Sequence, residues 1–114
     1  MTASNIVYCL TSDKIGSQDP ELGSRLMNTF FLKLIQARHL PSHILLMERG
    51  VQLLLPDCPA MDPLKVLSER GVEVLACQTC LEYYGIKDKI ATGKVSNMPD
   101  IIETMHDAAK VINL

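Results

Sequence analysis

Two cysteines spaced C-x-x-C, Cys77 and Cys80, are the residues of this chain whose type and spacing carry chemistry. They follow Val72-Glu-Val-Leu-Ala76, an apolar run that reads as a strand buried on both faces, as in a parallel sheet. Gln78 to Tyr84 has room for about two helical turns, and Gly85 suits the left-handed position that ends a helix. Cys77 is therefore expected at the carboxyl end of a strand and beside a helix amino terminus. Free N–H groups and the positive end of the helix dipole there favour a thiolate. Open α/β sheets also gather their ligands at that edge. The expected chemistry is a nucleophilic sulfur in a shallow cleft, with Cys77 the most reactive of the four thiols.

Such a pair has several uses. Both sulfurs can be small buried hydrophobes at a strand–helix joint. They can form a dithiol/disulfide couple, since C-x-x-C on one helical turn allows disulfide geometry. They can supply two of four zinc ligands, but His39, His43 and His106 are scattered and Cys9 and Cys58 stand alone. No metal and no cofactor are expected. The remaining use is one sulfur as nucleophile or carrier with the other in support. Cys9, in Ile6-Val-Tyr-Cys-Leu10, reads as a core residue or pocket wall. Cys58, in the turn Leu-Pro-Asp-Cys-Pro-Ala, reads as an incidental exposed thiol.

The polar loop from Thr11 to Glu21 stands where dinucleotide folds carry their phosphate-binding turn. It lacks G-x-G-x-x-G and contains acids, so dinucleotide binding is not expected. Ser12 and Asp13 are candidates to line the cleft from that loop. Asn97, in Asn97-Met-Pro-Asp100, is a helix cap whose side chain is a third candidate for the cleft.

Composition limits the function classes. The 114 residues are 47% hydrophobic and 21% charged, enough for one self-sufficient domain spanning residues 1–114. Eleven basic against 13 acidic residues, and 4% aromatics without Trp, give no footprint for nucleic acid. No run approaches the roughly 20 apolar residues of a membrane span. Met1-Thr-Ala-Ser-Asn5 carries no basic region followed by an apolar one, so a cytoplasmic location is expected. Thiols in that compartment remain reduced unless they are catalytic.

The elements that must position the pair alternate. Asn5–Leu10 reads as a first strand. Asp19-Pro20-Glu21 opens a helix whose inner stripe reads Leu22, Leu26, Phe30 and Leu34, flanked by Met27, Phe31 and Ile35. His43–Met47 is a second buried strand. Val51–Leu55 is apolar and reads either as a strand or as a pocket-lining segment. Asp62-Pro63 starts a helix that Gly71 ends. Asn97 opens the last helix, with Ile101, Ile102, Met105, Ala108 and Ala109 inward, and Val111–Leu114 is an edge strand. Strands alternating with helices imply an α/β three-layer sandwich with a mostly parallel sheet of four to five strands.

Three segments resemble the DsrE-like family, and most closely the carboxyl-terminal domain of YedF-type selenium-metabolism, sulfurtransferase-like proteins. Thr11-Ser-Asp13 through Asp19-Pro-Glu-Leu-Gly23 resembles that group's acidic helix start. Gly71 through Gly85 resembles its Cys-x-Thr-Cys signature followed by Tyr-Gly. Gly93-Lys-Val-Ser-Asn-Met98 resembles its Gly-x-Val-x-Asn-Met segment. The resemblance implies a persulfide, or a selenium analogue, carried on Cys77, which lies eight residues before Gly85. Gln18 and Pro20 depart from the residues usual in the first loop, and the additional amino-terminal domain of YedF-type proteins is not in this sequence.

The expected function is sulfur or selenium relay on Cys77, with Cys80 either closing a disulfide to release the sulfur or shielding the site. Donor and acceptor proteins are the expected partners. The alternatives are a non-catalytic module that binds a small ligand or a protein, and a C-x-x-C dithiol oxidoreductase. Single replacements separate them: a carrier loses function mainly with Cys77, an oxidoreductase with either cysteine, a binding module with neither. Self-association as a dimer or trimer is expected from the family resemblance, and from reading Val51–Leu55 as an exposed apolar patch.

Overall fold

The computed structural model describes residues 5–114; the reading of the first four residues as lacking a secretory leader lies outside them. Its elements are β1 (Ile6–Leu10), α1 (Pro20–Leu34), β2 (His43–Leu46), a 3-10 helix (Glu48–Leu54), α2 (Met61–Glu69), β3 (Glu73–Cys77), α3 (Gln78–Tyr84), β4 (Lys94–Ser96), α4 (Met98–Asp107) and β5 (Lys110–Asn113). The five strands form one parallel sheet in the order β4-β3-β2-β1-β5.

That order decides which face each helix covers. From β1 to β4 the chain steps across the sheet in one direction. Right-handed crossovers then put α1, α2 and α3 on one face. The last crossover returns over three strands in the opposite direction, so α4 lands on the other face. Two apolar clusters record the division. Met27 and Phe31 of α1, Leu64 and Leu67 of α2 and Leu81 of α3 pack with Leu10, Ile44, Leu46, Val74 and Ala76. Ile101 of α4 packs with Val7, Cys9, Leu45 and Cys77. The alternation along each strand is the pleat, which sends successive side chains to opposite faces. No described helix is long and apolar enough to cross a membrane.

Several expectations hold. Asp19 caps α1 by accepting from the Leu22 N–H at 3.1 Å. Asn97 caps α4 through the Asp100 N–H at 2.9 Å. Gly85 ends α3 at φ 69°, and the last strand is an edge strand.

Others are corrected. The buried stripe of α1 is Gly23, Met27, Phe31 and Leu34, whereas Leu22 and Leu26 are 50% and 44% exposed. A strict four-residue repeat drifts around a helix of 3.6 residues per turn, while spacings of four, four and three stay on one face. On α4 only Ile101 is buried; Ile102 faces out, and the helix ends before Ala108. Asp62 lies inside α2, whose cap position is Ala60. The stretch between Gly85 and Asn97, to which the sequence pattern assigns no element, contains β4. Cys58 is half-buried against the inner core and is not an exposed thiol.

Val51, Leu53 and Leu54 belong to the 3-10 helix and are buried inside the monomer. The apolar patch invoked for self-association is core, so any dimer or trimer needs another surface.

Candidate functional site

Parallel strands in register bring their carboxyl ends to one edge of the sheet. Leu10 pairs with Leu46, Leu46 with Ala76, and Cys77 with Ser96. The chain turns sharply as it leaves β2 at this edge. The Met47 N–H donates to the Leu10 carbonyl at 2.9 Å, and Glu48 enters the left-handed region at φ 50°. Among the described residues Glu48 is the one non-glycine with positive φ. That conformation costs an L-residue about 1–2 kcal/mol. In the same turn the Glu48 N–H donates to Cys80 Sγ of α3 at 3.1 Å.

The two cysteines occupy different surroundings. Cys77 is the last residue of β3 and the N-cap of α3, and its side chain makes no capping bond. The pleat turns it with Leu75 toward the α4 face, where it packs among Val7, Cys9, Leu45 and Ile101 and is 2% exposed. Cys80, one helical turn on, is half-buried and touches both apolar clusters. It lines a cavity of about 420 Å³ with Glu48, Thr79, Tyr83 and Tyr84. The cleft expected over Cys77 therefore opens over Cys80. A strand residue points to whichever face its parity dictates, whereas the following helix rotates about 100° per residue and presents its third position to the sheet edge.

Electrostatics differ as well. Burial pushes the Cys80 thiol above its ordinary value, and the adjacent Cys77 thiol and Glu48 carboxylate raise it further; the Glu48 amide pulls the other way. Cys9 and Cys58 are also pushed up by burial.

Cys80 is expected to be the first thiol alkylated by a bulky maleimide. Its rate is expected to keep rising into the alkaline range, because burial holds the thiol above its ordinary value. Peptide mapping after short exposures checks the order; Cys77 labelled first would show that the α4 face opens readily.

The loop candidates reach the site indirectly. Asp13 pairs with Arg49 at 3.6 Å and with Lys14 at 3.2 Å. The Arg49 guanidinium lies 6.0 Å from the centre of the Tyr84 ring, within cation–π range. Arg49 thus lines a smaller cavity with Ser12, Asp13 and Lys14 and stands against Tyr84, a wall of the Cys80 cavity. Ser12 Oγ accepts from the Lys14 N–H at 3.0 Å and shapes that loop. Asn97 is consumed by its capping bond and lines neither cavity. Its neighbour Ser96 pairs across the strands with Cys77 and is buried.

Sequence reasoning missed Glu48, Arg49, Tyr83 and Tyr84. A signal was present: Glu48-Arg-Gly50 directly follows a buried strand, where parallel-sheet proteins put functional turns. Among the described residues no group of three or more His, Cys, Asp or Glu side chains converges as a metal site.

Comparison with known proteins agrees with this architecture. The sequence model of the DsrE/DsrF-like family matches residues 5–114. The crystal structure of the YchN protein from E. coli superposes with a TM-score of 0.71 at 22% identity, over 97% of this chain and 99% of that one. A protein of unknown function from Methanobacterium thermoautotrophicum gives 0.68 at 18% identity, over 96% and 97%. A conserved protein of unknown function from Bacteroides thetaiotaomicron gives 0.65 at 18% identity, over 100% and 98%. At these identities the likeness is one of fold. No curated protein matches the chain by sequence.

Proposed function

The chain belongs to the DsrE/DsrF-like family, and from that premise we propose that it is a sulfur-relay protein holding a persulfide on Cys77. Sulfur relay is associated with the family as a whole; assigning the carrier role to Cys77 rests on its setting. The observation that carries the reading is the division of labour in the pair. One sulfur is enclosed by apolar side chains, and its neighbour one turn on faces a cavity. Enclosure suits a persulfide, whose outer sulfur is lost to any free thiol that reaches it.

The chemistry is two displacements. The Cys77 thiolate attacks the outer sulfur of a donor persulfide. A bond forms between Cys77 Sγ and that sulfur, the donor's S–S bond breaks, and its electron pair leaves as the donor thiolate. An acceptor thiolate then attacks the same outer sulfur and releases the Cys77 thiolate. Nothing is oxidised or reduced overall, so thiols and persulfides alone suffice. Selenium in place of the transferred sulfur follows the same path.

Incubation with inorganic polysulfide, removal of excess, and intact mass spectrometry test this. A gain of about 32 Da, one sulfur atom, is expected on the peptide holding Cys77, and Cys77→Ser is expected to lose the retained adduct. An adduct confined to Cys9 or Cys58, or none at all, would overturn the assignment.

A further inference from the structure

We propose that Cys80 is the exchange port of the pair: sulfur enters and leaves through Cys80, held by the Glu48 amide in its cavity, and is stored on Cys77. The inference rests on the carrier reading above and adds the route to it.

Three observations lead there. First, Cys77 is 2% exposed, beneath Ile101 and beside Leu45. A donor persulfide attached to anything larger than a few atoms meets α4 and the sheet before it meets that sulfur. Secondly, Cys80 touches both apolar clusters and also lines the cavity. In that same position its thiol is within hydrogen-bond reach of the Cys77 thiol, so one sulfur meets both the cavity and its buried neighbour. Thirdly, the Glu48 N–H donates to Cys80 Sγ at 3.1 Å from the turn that leaves β2. A hydrogen bond to an ionised acceptor is roughly twice as strong as to a neutral one. The amide therefore favours the thiolate or persulfide anion that exchange at Cys80 requires.

In this route Cys80 is the immediate donor to Cys77 and the immediate acceptor from it, and the added step balances. The Cys80 thiolate displaces the donor's thiolate from the outer sulfur and becomes Cys80–S–SH after taking up a proton. The Cys77 thiolate then attacks that outer sulfur. The bond from Cys77 Sγ forms, the bond to Cys80 Sγ breaks, and the electron pair returns to Cys80 as thiolate. Unloading is the same sequence reversed, with an acceptor thiolate in the cavity. One sulfur atom changes place, and no oxidant or reductant enters.

The cavity walls define what presents the sulfur. Tyr83 is 84% exposed and stands edge-on to Tyr84 at 5.3 Å between ring centres, with Thr79 and the Glu48 carboxylate beside them. Aromatic and hydroxyl surface with one acid suits a cysteine carried on a protein segment.

The test follows the time course of sulfur on each cysteine, by acid quench and fragment mapping that separates Cys77 from Cys80, after mixing with glutathione persulfide, a donor too large to pass beneath α4. Wild type, Cys80→Ser and Cys80→Ala are compared, each checked for an unchanged thermal transition. Both replacements are small and fall at a half-buried position, and the pair guards against a hydroxyl-specific effect. Cys77 in the variants is expected to load at least tenfold more slowly and to reach the wild-type endpoint. Return of sulfur to glutathione is expected to slow by a similar factor. Variants that load Cys77 as fast as wild type would overturn the port and leave the carrier reading standing. Wild type that never places sulfur on Cys77 would overturn the carrier reading, and the port with it.

Discussion

Truncation of Leu81 to alanine is expected to lower folding stability by about 2–5 kcal/mol, the range for buried leucine truncations. Leu81 is fully buried and is the only buried residue of α3. It fastens the helix to the inner core beside Ala76 and Ile86. The rest of α3 is exposed or half-buried, and its seven residues are too few to hold a helix without tertiary contacts. Loss of this anchor frees the segment that carries Cys80. Chemical denaturation gives the stability change, and maleimide labelling at low denaturant gives the local one. The expected result is a lower midpoint together with faster labelling of both Cys77 and Cys80. A loss under about 1 kcal/mol would mean that α3 is held by its partly buried residues instead.

Replacement of Gly50 by alanine is the second large effect. A Cβ at Gly50 would meet the Leu10 carbonyl oxygen at 2.8 Å and the Ser12 carbonyl oxygen at 3.5 Å. Both are backbone atoms, one at the end of β1 and one in the loop just past it, so neither can rotate away. The 3-10 helix must lift from the sheet edge, at about 1–3 kcal/mol for overpacking. The Glu48 amide lies two residues before Gly50 and moves with it. The Gly50→Ala protein is therefore expected to melt lower and to shift the alkylation profile of Cys80 to higher pH, because the N–H that favours the thiolate is withdrawn. An unchanged profile in a folded but destabilised protein would separate the glycine's packing role from the sulfur's environment.

Much of the fold is legible in the sequence. Asp19 and Asn97 are caps because a short acceptor before a proline can satisfy the first free N–H groups of a helix. Gly85 ends α3 because its φ of 69° is one that L side chains rarely adopt. The parallel sheet followed from strands that alternate with helices, and helices on both faces followed from it. The shift of the α1 stripe by one residue was not legible, because Leu22 and Leu26 are as apolar as the residues that pack. Only the approach angle of the sheet chooses between adjacent stripes. The run Val51–Leu55 was equally silent: apolar content shows that a segment is buried somewhere, and not whether its own chain or another buries it.

The candidate site divides in the same way. Its nucleophiles, their spacing and their place at a strand–helix joint are properties of a dozen consecutive residues, and the sequence determined them. Which sulfur faces the cavity was decided by the tertiary structure. Burial of Cys77 depends on α4, which returns across the sheet from the far edge. The environment of Cys80 depends on a backbone N–H 32 residues earlier in the chain. Caps, turns and joints are set by atoms a few bonds apart, so local residue types suffice to fix them. Exposure and hydrogen bonding to a sulfur are set by segments that meet only once the sheet has ordered them.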